Sequence, residues 1–177
     1  MRKLILYIAC SLDGYIAQPG DDLSFLDPFQ VEGEDYGYQQ FASQIDTVIM
    51  GRRTYDWLME QVPEFPHKNW DAYILTKTPR PAEGNIQFYT GSLPKLIEDI
   101  RSSPGKNIFC DGGAQVVNAF LKHELIDEMI ISIIPTLLGD GIRLFQEGRP
   151  TQNVELLDQK AYANGLLQLH YRCQKDT

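Results

Sequence analysis

The sequence lacks several features that would place it in a protein class at once. No apolar run approaches the roughly 20 residues that a membrane-spanning helix needs, and the chain enters a strand-like segment without the pattern of a signal peptide. Cysteine is scarce, and Cys10, Cys110 and Cys173 follow no metal-ligand or redox spacing, so we expect reduced thiols. Together these absences favour a cytoplasmic protein that neither crosses nor binds a membrane.

Positive charge is also in short supply, since 16 basic residues stand against 24 acidic ones and the formal net charge is −8. A surface of that sign repels nucleic acid and anionic membranes, so neither is an expected partner. The hydrophobic fraction of 43% and the charged fraction of 23% are ordinary for a globular protein. With no repeat, low-complexity tract or linker, residues 1–177 are expected to form one domain.

The common short fingerprints of nucleotide and zinc sites are missing: there is no G-x-G-x-x-G, no P-loop and no H-E-x-x-H. The chain does contain a strand-like segment, Asn107 to Cys110, that turns on Gly112 and Gly113 straight into a helical pattern. A helix that begins there presents free backbone N–H groups and a positive dipole end, which suits a phosphate. A tight turn that needs positive φ would require the same glycines, so both interpretations stay open.

Two further strand ends carry basic residues in this otherwise acidic chain. The first, after Thr47 to Met50, reads Gly51, Arg52, Arg53 and Thr54. Two cations in a first helical turn oppose the helix dipole unless an anion docks there; solvated arginines are the alternative. The second, after Ala72 to Leu75, reads Thr76 and Lys77. Three such strand ends suggest a dinucleotide phosphate site.

The order of elements indicates the fold class. Strand and helix patterns alternate until about residue 121, and then strands continue alone to a hairpin around Asn164 and Gly165. This order predicts an α/β sheet, parallel in its first part and antiparallel at its end. The stretch Gln18 to Gly33 is an active-site lid or a surface loop. A helix is predicted over Glu34 to Ile45, with Asp35 near its start as a cap or a functional carboxylate.

This pattern resembles the dihydrofolate reductase-like superfamily over nearly the whole chain. Residues 50–55 (MGRRTY) are similar to that family's G-R-x-T segment, and residues 111–114 (DGGA) to its Gly-Gly cofactor turn. Residues 127–145 (DEMIISIIPTLLGDGIRLF) resemble the reductase domain of the bifunctional riboflavin-biosynthesis deaminase/reductase, as does the S-x-D-G-x-I pattern within residues 7–17. Nothing matches the zinc ligands of the deaminase half, so the chain resembles a stand-alone reductase domain.

The resemblance implies a three-layer α/β/α fold with a mostly parallel central sheet and an antiparallel C-terminal hairpin. It also implies NADPH as the cofactor, with Ala9 and Ile16 flanking the nicotinamide. The residues that would hold its phosphates are Gly51, Arg52, Arg53, Thr54, Thr76 and Lys77 from two strand ends, and Gly112, Gly113, Ala114 and Gln115 from the third.

The activity implied by the resemblance is an NADPH-dependent reductase. It would transfer a hydride to a small planar heterocyclic or carbonyl compound, similar to a riboflavin precursor or a pterin. Asp35 falls at the superfamily's pterin-binding carboxylate and would orient or protonate the substrate, with a raised pKa; Asp111 is the second candidate. The alternative is an NADP-binding protein without catalysis, acting as a sensor or interaction partner.

We also expect a homodimer. The tail hairpin, with Leu167, Leu169 and Tyr171, and the run Met129 to Ile134 offer more strand surface than one small sheet covers. The resemblance to riboflavin-type reductases implies the same assembly.

Overall fold

A computed structural model of the chain describes residues 1–175; residues 176 and 177, at the end of the expected domain, lie outside the described residues. The strands are β1 (Leu4–Ser11), β2 (Tyr15–Ala17), β3 (Ile45–Gly51), β4 (Asp71–Leu75), β5 (Ile86–Tyr89), β6 (Asn107–Gly112), β7 (Glu128–Ile134), β8 (Ile142–Arg143), β9 (Val154–Ala161) and β10 (Leu167–Cys173). The helices are α1 (Tyr38–Ala42), α2 (Arg52–Gln61), α3 (Leu93–Ser102) and α4 (Ala114–Lys122), and a 3₁₀ helix spans Ser24–Phe29.

Eight strands form one sheet in the order β5-β4-β3-β6-β1-β7-β10-β9. The strands from β5 to β7 in this order run parallel to their neighbours, whereas β10 pairs antiparallel with both β7 and β9. Parallel neighbours need crossover connections, which contain α2, α3 and α4, except that β4 and β5 are joined by a loop alone; β9 and β10 then form a hairpin. The predicted mostly parallel sheet with an antiparallel C-terminal hairpin is therefore confirmed.

The helices cover both faces of the sheet, which gives three layers. On one face, α3 and α4 bury Leu96, Ile97, Val117 and Phe120 against the strands, with Phe120 fully buried. On the other face, α1 and α2 bury Phe41 and Tyr55 in a second cluster of core residues. Alternation along β1 explains why its sequence is apolar throughout, since successive side chains enter opposite layers.

Helix starts differ in how their free N–H groups are satisfied. Ser92 caps α3, because its Oγ accepts a hydrogen bond from the backbone N–H of Lys95 at 3.4 Å. By contrast, α2 and α4 begin after Gly51 and Gly113, and neither start has a side-chain cap. The N-termini of α2 and α4 therefore remain open to an external partner.

One local prediction differs from the structure, and one strand pairing was not predicted. The helix predicted over Glu34 to Ile45 is only α1, because residues 34–37 form turns and Ile45 already belongs to β3. The glycine-rich segment after β7, residues 137–141, is irregular, and the chain then enters β8, which pairs antiparallel with β2 in a small second sheet. Pairing between segments so far apart in the chain leaves no periodic signal in either of them.

The hairpin predicted around Asn164 and Gly165 is present, and it places β9 at the edge of the sheet. Gly165 has φ of 89°, the left-handed conformation that the turn requires. Within residues 1–175, no helix combines the length and apolar character needed to cross a membrane.

Candidate active site

The carboxyl ends of β3 and β6 lie side by side, and the connections from these two strands lead in opposite directions. From β3 the chain passes through α2 to β4, and from β6 it passes through α4 to β7, on the other side of β1. A crevice at such a reversal is where open α/β sheets bind their ligands. The two predicted glycine junctions meet here.

Contact between the junctions is direct. Thr54 in the first turn of α2 accepts a hydrogen bond through Oγ1 from the backbone N–H of Gly113, at 3.0 Å. A Cβ added to Gly113 would lie 3.0 Å from that same oxygen, and one added to Gly51 would lie 3.0 Å from Val116 Cγ2. Gly112 has φ of 106°, so the requirement for positive φ also holds. The predicted turn is therefore present, and Gly51 and Gly113 also allow the two helix starts to pack closely. Phosphate binding at this turn stays a prediction.

The predicted basic residues lie beside this contact. Leu75 pairs with Gly51, so Thr76 and Lys77 follow at the neighbouring strand end. Arg52 lies 3.9 Å from Asp56, a contact too long to hold it firmly. Arg53 reaches the loop after β2, where its guanidinium donates to Asp21 at 2.5 and 3.1 Å. The Asp21 carboxylate is therefore the partner of the Arg53 guanidinium, at the positive end of α2.

Strands β1 and β6 separate at this edge. Their ladder ends at the pair Leu6 and Cys110, whereas β1 remains paired with β7 as far as Ser11. The side of β1 that faces β6 beyond Leu6 therefore has no strand partner among the described residues. Half-buried Ala9 lies in this gap. Its backbone groups can bond a carboxamide there, as the resemblance implies.

Ile16 does not lie in the large sheet. It belongs to β2, whose antiparallel partner is β8, and it packs with Ile8 against the α3/α4 side of the core. The predicted cofactor residues from the three strand ends lie at one edge of the large sheet, together with Ala9. Ile16 lies outside that sheet, in β2, which follows β1 in the chain.

Asp111 follows the buried segment of β6 and is largely shielded from water. Burial raises the pKa of its carboxyl to about 6. Burial also raises the pKa of the Tyr38 hydroxyl to about 12, and the charge of Asp111 adds to that shift. Of the two candidate carboxylates, Asp111 is the one whose environment suits proton exchange near neutral pH.

Asp35 lies in a different environment. Its carboxylate accepts hydrogen bonds from the backbone N–H groups of Gln39 and Gly37, both at 2.9 Å, and these bonds lower its pKa. The raised pKa expected for Asp35 is therefore wrong, because the side chain is exposed and caps α1. Its proposed contact with a substrate stays a prediction.

A polar network that the sequence did not reveal connects Asp35 to the sheet. Tyr36, with φ of 53°, offers its carbonyl to the Tyr7 hydroxyl at 2.8 Å and to the Gln168 amide at 3.0 Å. The same amide donates to buried Ser132 at 3.1 Å. The only sequence signal was polar atoms within otherwise apolar strands, which alternation alone does not assign to a face.

Asp13 joins the S-x-D-G motif of residues 11–14 to the distant loop of residues 137–141 through hydrogen bonds. Its carboxylate accepts a hydrogen bond from the hydroxyl of Ser11 at 2.6 Å, and from the backbone N–H groups of Leu138 and Gly139 at 3.1 and 2.7 Å. The bond from Ser11 is the largest cause that lowers its pKa to about 2. The S-x-D-G turn thus fixes the L-L-G-x-G loop beside the carboxyl end of β1.

A cavity of about 390 Å³ lies at the opposite edge of the sheet, where β1 and β7 begin. Its charged side chains are paired within the chain: Lys3 with Glu128, Lys175 with Asp127, and Arg172 with Glu155. Open α/β sheets bind ligands at the carboxyl edge, so this cavity is not the candidate site.

Comparison with known proteins identifies the family. The family model described as "RibD C-terminal domain" matches residues 2–168. The chain belongs to this family. It is 39% identical to the uncharacterized protein YwjB of Bacillus subtilis strain 168 over 171 residues, covering 96% of this chain and 97% of that protein.

Solved structures agree with this assignment. A putative riboflavin biosynthesis protein from Shewanella sp. PV-4 is 28% identical, with a TM-score of 0.89 and coverage of 98% of this chain and 99% of that one. A dihydrofolate reductase from Enterococcus faecalis, complexed with NADP(H), has a TM-score of 0.69 at 17% identity, covering 98% and 97% of the two chains. This chain of the RibD C-terminal domain family therefore has the dihydrofolate reductase-like fold.

Proposed function

We propose that this protein is an NADPH-dependent reductase that transfers a hydride to a small planar heterocyclic or carbonyl compound. The observation that carries the proposal is the meeting of two uncapped helix N-termini at one reversal point of the sheet, with Arg52, Arg53 and Lys77 beside them. In a chain of net charge −8, basic residues gathered at such a point favour an anionic ligand.

The backbone at the start of α4 fits a pyrophosphate. The N–H groups of Val116 and Val117 both bond the carbonyl of Gly113, which leaves those of Ala114 and Gln115 to point out of the helix. A side chain at Gly113 would fill the space beside Thr54. These residues would hold the pyrophosphate through backbone donors and the helix dipole.

The basic residues would distinguish NADPH from NADH. Arg52, Arg53, Thr76 and Lys77 supply charged and hydroxyl donors at two adjacent strand ends. Such donors bond a 2′-phosphate far better than a 2′-hydroxyl, because both partners in the bond are charged. NADPH is therefore the proposed cofactor.

When bound, NADPH supplies a hydride from C4 of its nicotinamide ring. The chain's own task is to hold that ring beside Ala9, in the gap between β1 and β6, and to hold the acceptor against Tyr7 and Tyr38. Reduction of a C=N or C=O bond by hydride also needs one proton on nitrogen or oxygen. Asp111 can deliver it, since part of its population is protonated near neutral pH.

Cofactor preference tests the proposal. We expect the Arg52→Ala, Lys77→Ala double variant to weaken NADPH binding by about 100-fold, since each lost charged hydrogen bond costs about 1.5 kcal/mol. NADH binding should change by no more than about twofold, because its ribose offers those residues no charge. The matched control is Lys68→Ala, Lys122→Ala, which removes two positive charges at the opposite edge.

Titration of both cofactors into all three proteins gives the dissociation constants. Equal affinity of the unmodified protein for NADPH and NADH contradicts the proposal. Loss of NADPH absorbance with a panel of heterocycles and carbonyl compounds then tests catalysis. Tight NADPH binding without turnover on any of them supports instead the non-catalytic NADP-binding alternative.

A further inference from the structure

Tyr7 and Asp111 lie at the same level of the sheet and on the same face. In the parallel register of β1 and β6, Ile5 pairs with Phe109, and both belong to the core cluster on the α1/α2 side. Two residues further along β1, Tyr7 returns to that face. Asp111 lies at a register irregularity of β6, since Ile49 pairs with Cys110 and Met50 with Gly112, and its charge acts on the hydroxyl of Tyr38 on the α1/α2 side. The strands have separated by this level, so the two side chains flank the gap between β1 and β6.

Aromatic rings form the wall of this gap on the α1 side. The ring of Tyr38 meets that of Tyr7 edge to face, with centroids 5.7 Å apart, and Phe41 stacks on Tyr7 at 4.7 Å. Tyr38 is only partly buried, so its ring is both fixed by neighbours and reachable. A flat ring system matches a surface of this kind, because offset and edge contacts between aromatic rings are favourable.

Two polar groups in the gap lack a protein partner. Within residues 1–175, neither the Asp111 carboxylate nor the Tyr38 hydroxyl makes a hydrogen bond to another side chain or to the backbone. No polar side-chain atom of the described residues is both fully buried and unsatisfied, so these two groups remain accessible. Shielded but reachable groups of this kind are completed by a ligand that carries hydrogen-bond donors.

Negative charge surrounds the gap. Burial raises the pKa of Tyr7, and the charges of Asp35 and Glu34 add to the shift. Lys160 lies 4.4 Å from the centre of the Tyr162 ring, and its charge acts on Asp35. Two basic residues near the cofactor edge are already paired with carboxylates, Arg53 with Asp21 and Arg80 with Asp56.

We infer that the substrate of the proposed reductase is a planar ring without a phosphate or carboxylate group, whose N–H donors bind Asp111 while its face lies against Tyr7 and Tyr38. This inference rests on the proposed function. A phosphate in the gap would meet Asp111 at short range in a poorly solvated site, where like charges repel strongly.

Two matched pairs of ligands test the inference by equilibrium binding, with and without saturating NADP⁺. Comparing uridine with uridine 5′-monophosphate measures the effect of the phosphate on affinity. Comparing 2,4,6-triaminopyrimidine with orotate measures the effect of the ring's charge and hydrogen-bond donors. We expect the first member of each pair to bind at least about tenfold more tightly, the usual scale for one charged hydrogen bond in a shielded site.

Two variants test whether Asp111 causes the preference for triaminopyrimidine over orotate. Asp111→Asn should reduce the preference for triaminopyrimidine over orotate by about tenfold, because the amide retains size but loses charge. This comparison is made without NADP⁺, so a change in cofactor affinity does not enter it. The matched control is Asp99→Asn, an exposed aspartate of α3, which should leave both preferences intact.

Equal or tighter binding of the phosphate ester or of orotate overturns the inference, as does an unchanged preference in Asp111→Asn. The outcome is separable from that of the proposed function. If ring preference fails while NADPH preference holds, the protein is a reductase of a different substrate class. If NADPH does not bind, the proposed function fails, and the cofactor-free titrations still report on the gap.

Discussion

Thr54 Oγ1 accepts a hydrogen bond from the backbone N–H of Gly113 at 3.0 Å, and this bond joins the starts of two helices on opposite faces of the sheet. The same bond orders the loop from which the N–H groups of Ala114 and Gln115 project. One threonine therefore links the proposed site of the pyrophosphate to the proposed site of the 2′-phosphate. Its contribution can be measured directly.

We expect Thr54→Val to lower the free energy of unfolding by about 1 kcal/mol, because the shielded Gly113 N–H loses its acceptor while the volume stays nearly constant. NADPH affinity should fall by several-fold, since the loop is no longer held. Urea unfolding and cofactor titration measure the two effects. Thr54→Ser keeps the hydroxyl and is the control; if it behaves like valine, the hydrogen bond is not the cause.

The raised pKa of Asp111 predicts a pH-dependent stability. The folded protein holds this proton up to about pH 6, whereas the unfolded chain releases it near 3.8, so the carboxylate destabilises the fold increasingly as pH rises through that interval. Asp111→Asn removes the penalty. Relative to the unmodified protein, the variant should gain about 2 kcal/mol between about pH 4 and about pH 7.5, allowing for partial exposure.

Denaturant unfolding of both proteins at the two pH values provides the measurement. At about pH 4 the carboxyl is protonated in the folded protein and still partly protonated in the unfolded chain, so most of the penalty is absent and the difference between the proteins there reports mainly the change of side chain. A stability difference that is the same at both pH values would show that the Asp111 carboxyl is not desolvated.

Asp35 allows cap and catalytic roles to be separated. Asp35→Ala should lower the melting temperature, because the N–H groups of Gly37 and Gln39 lose their acceptors, and Asp35→Asn should lower it less. Turnover of Asp35→Asn tests the role that the family resemblance implies. A loss of about 100-fold at unchanged NADPH affinity supports that role, and an unchanged rate leaves Asp35 as a helix cap.

Strand β9 predicts how two copies associate. It is an eight-residue edge strand, and Val154 and Leu156 on it are 42% and 47% exposed. Such edges invite pairing, so we propose a homodimer that covers β9. Leu156→Lys should convert the dimer to a monomer by light scattering. Val31→Lys, at a loop residue of 47% exposure, should leave the mass unchanged; a monomeric unmodified protein would contradict the proposal.

The sequence determined the architecture because its signals are local. The apolar run of β1, the helical spacing in α4, the Ser92 cap and the Asn164-Gly165 turn each act over a few residues, and each appears in the structure. Parallel strands place all their carboxyl ends on one edge, so the approximate position of the three basic or glycine-rich strand ends also followed. The joining of β2 to β8 did not, because neither segment carries a pattern that names its partner.

The tertiary structure decided which carboxylate is shielded. In the sequence, Asp35 at a helix start and Asp111 at a strand end are equivalent candidates, and the resemblance favoured Asp35. In the fold, Asp35 bonds its own helix and is exposed, whereas Asp111 is enclosed beside Tyr38. A pKa depends on desolvation and on neighbouring charges, and both are set by residues far away in the chain. Local sequence could therefore specify the edge of the sheet where the site lies, but only packing of α1 over β1 and β6 set the electrostatics within it.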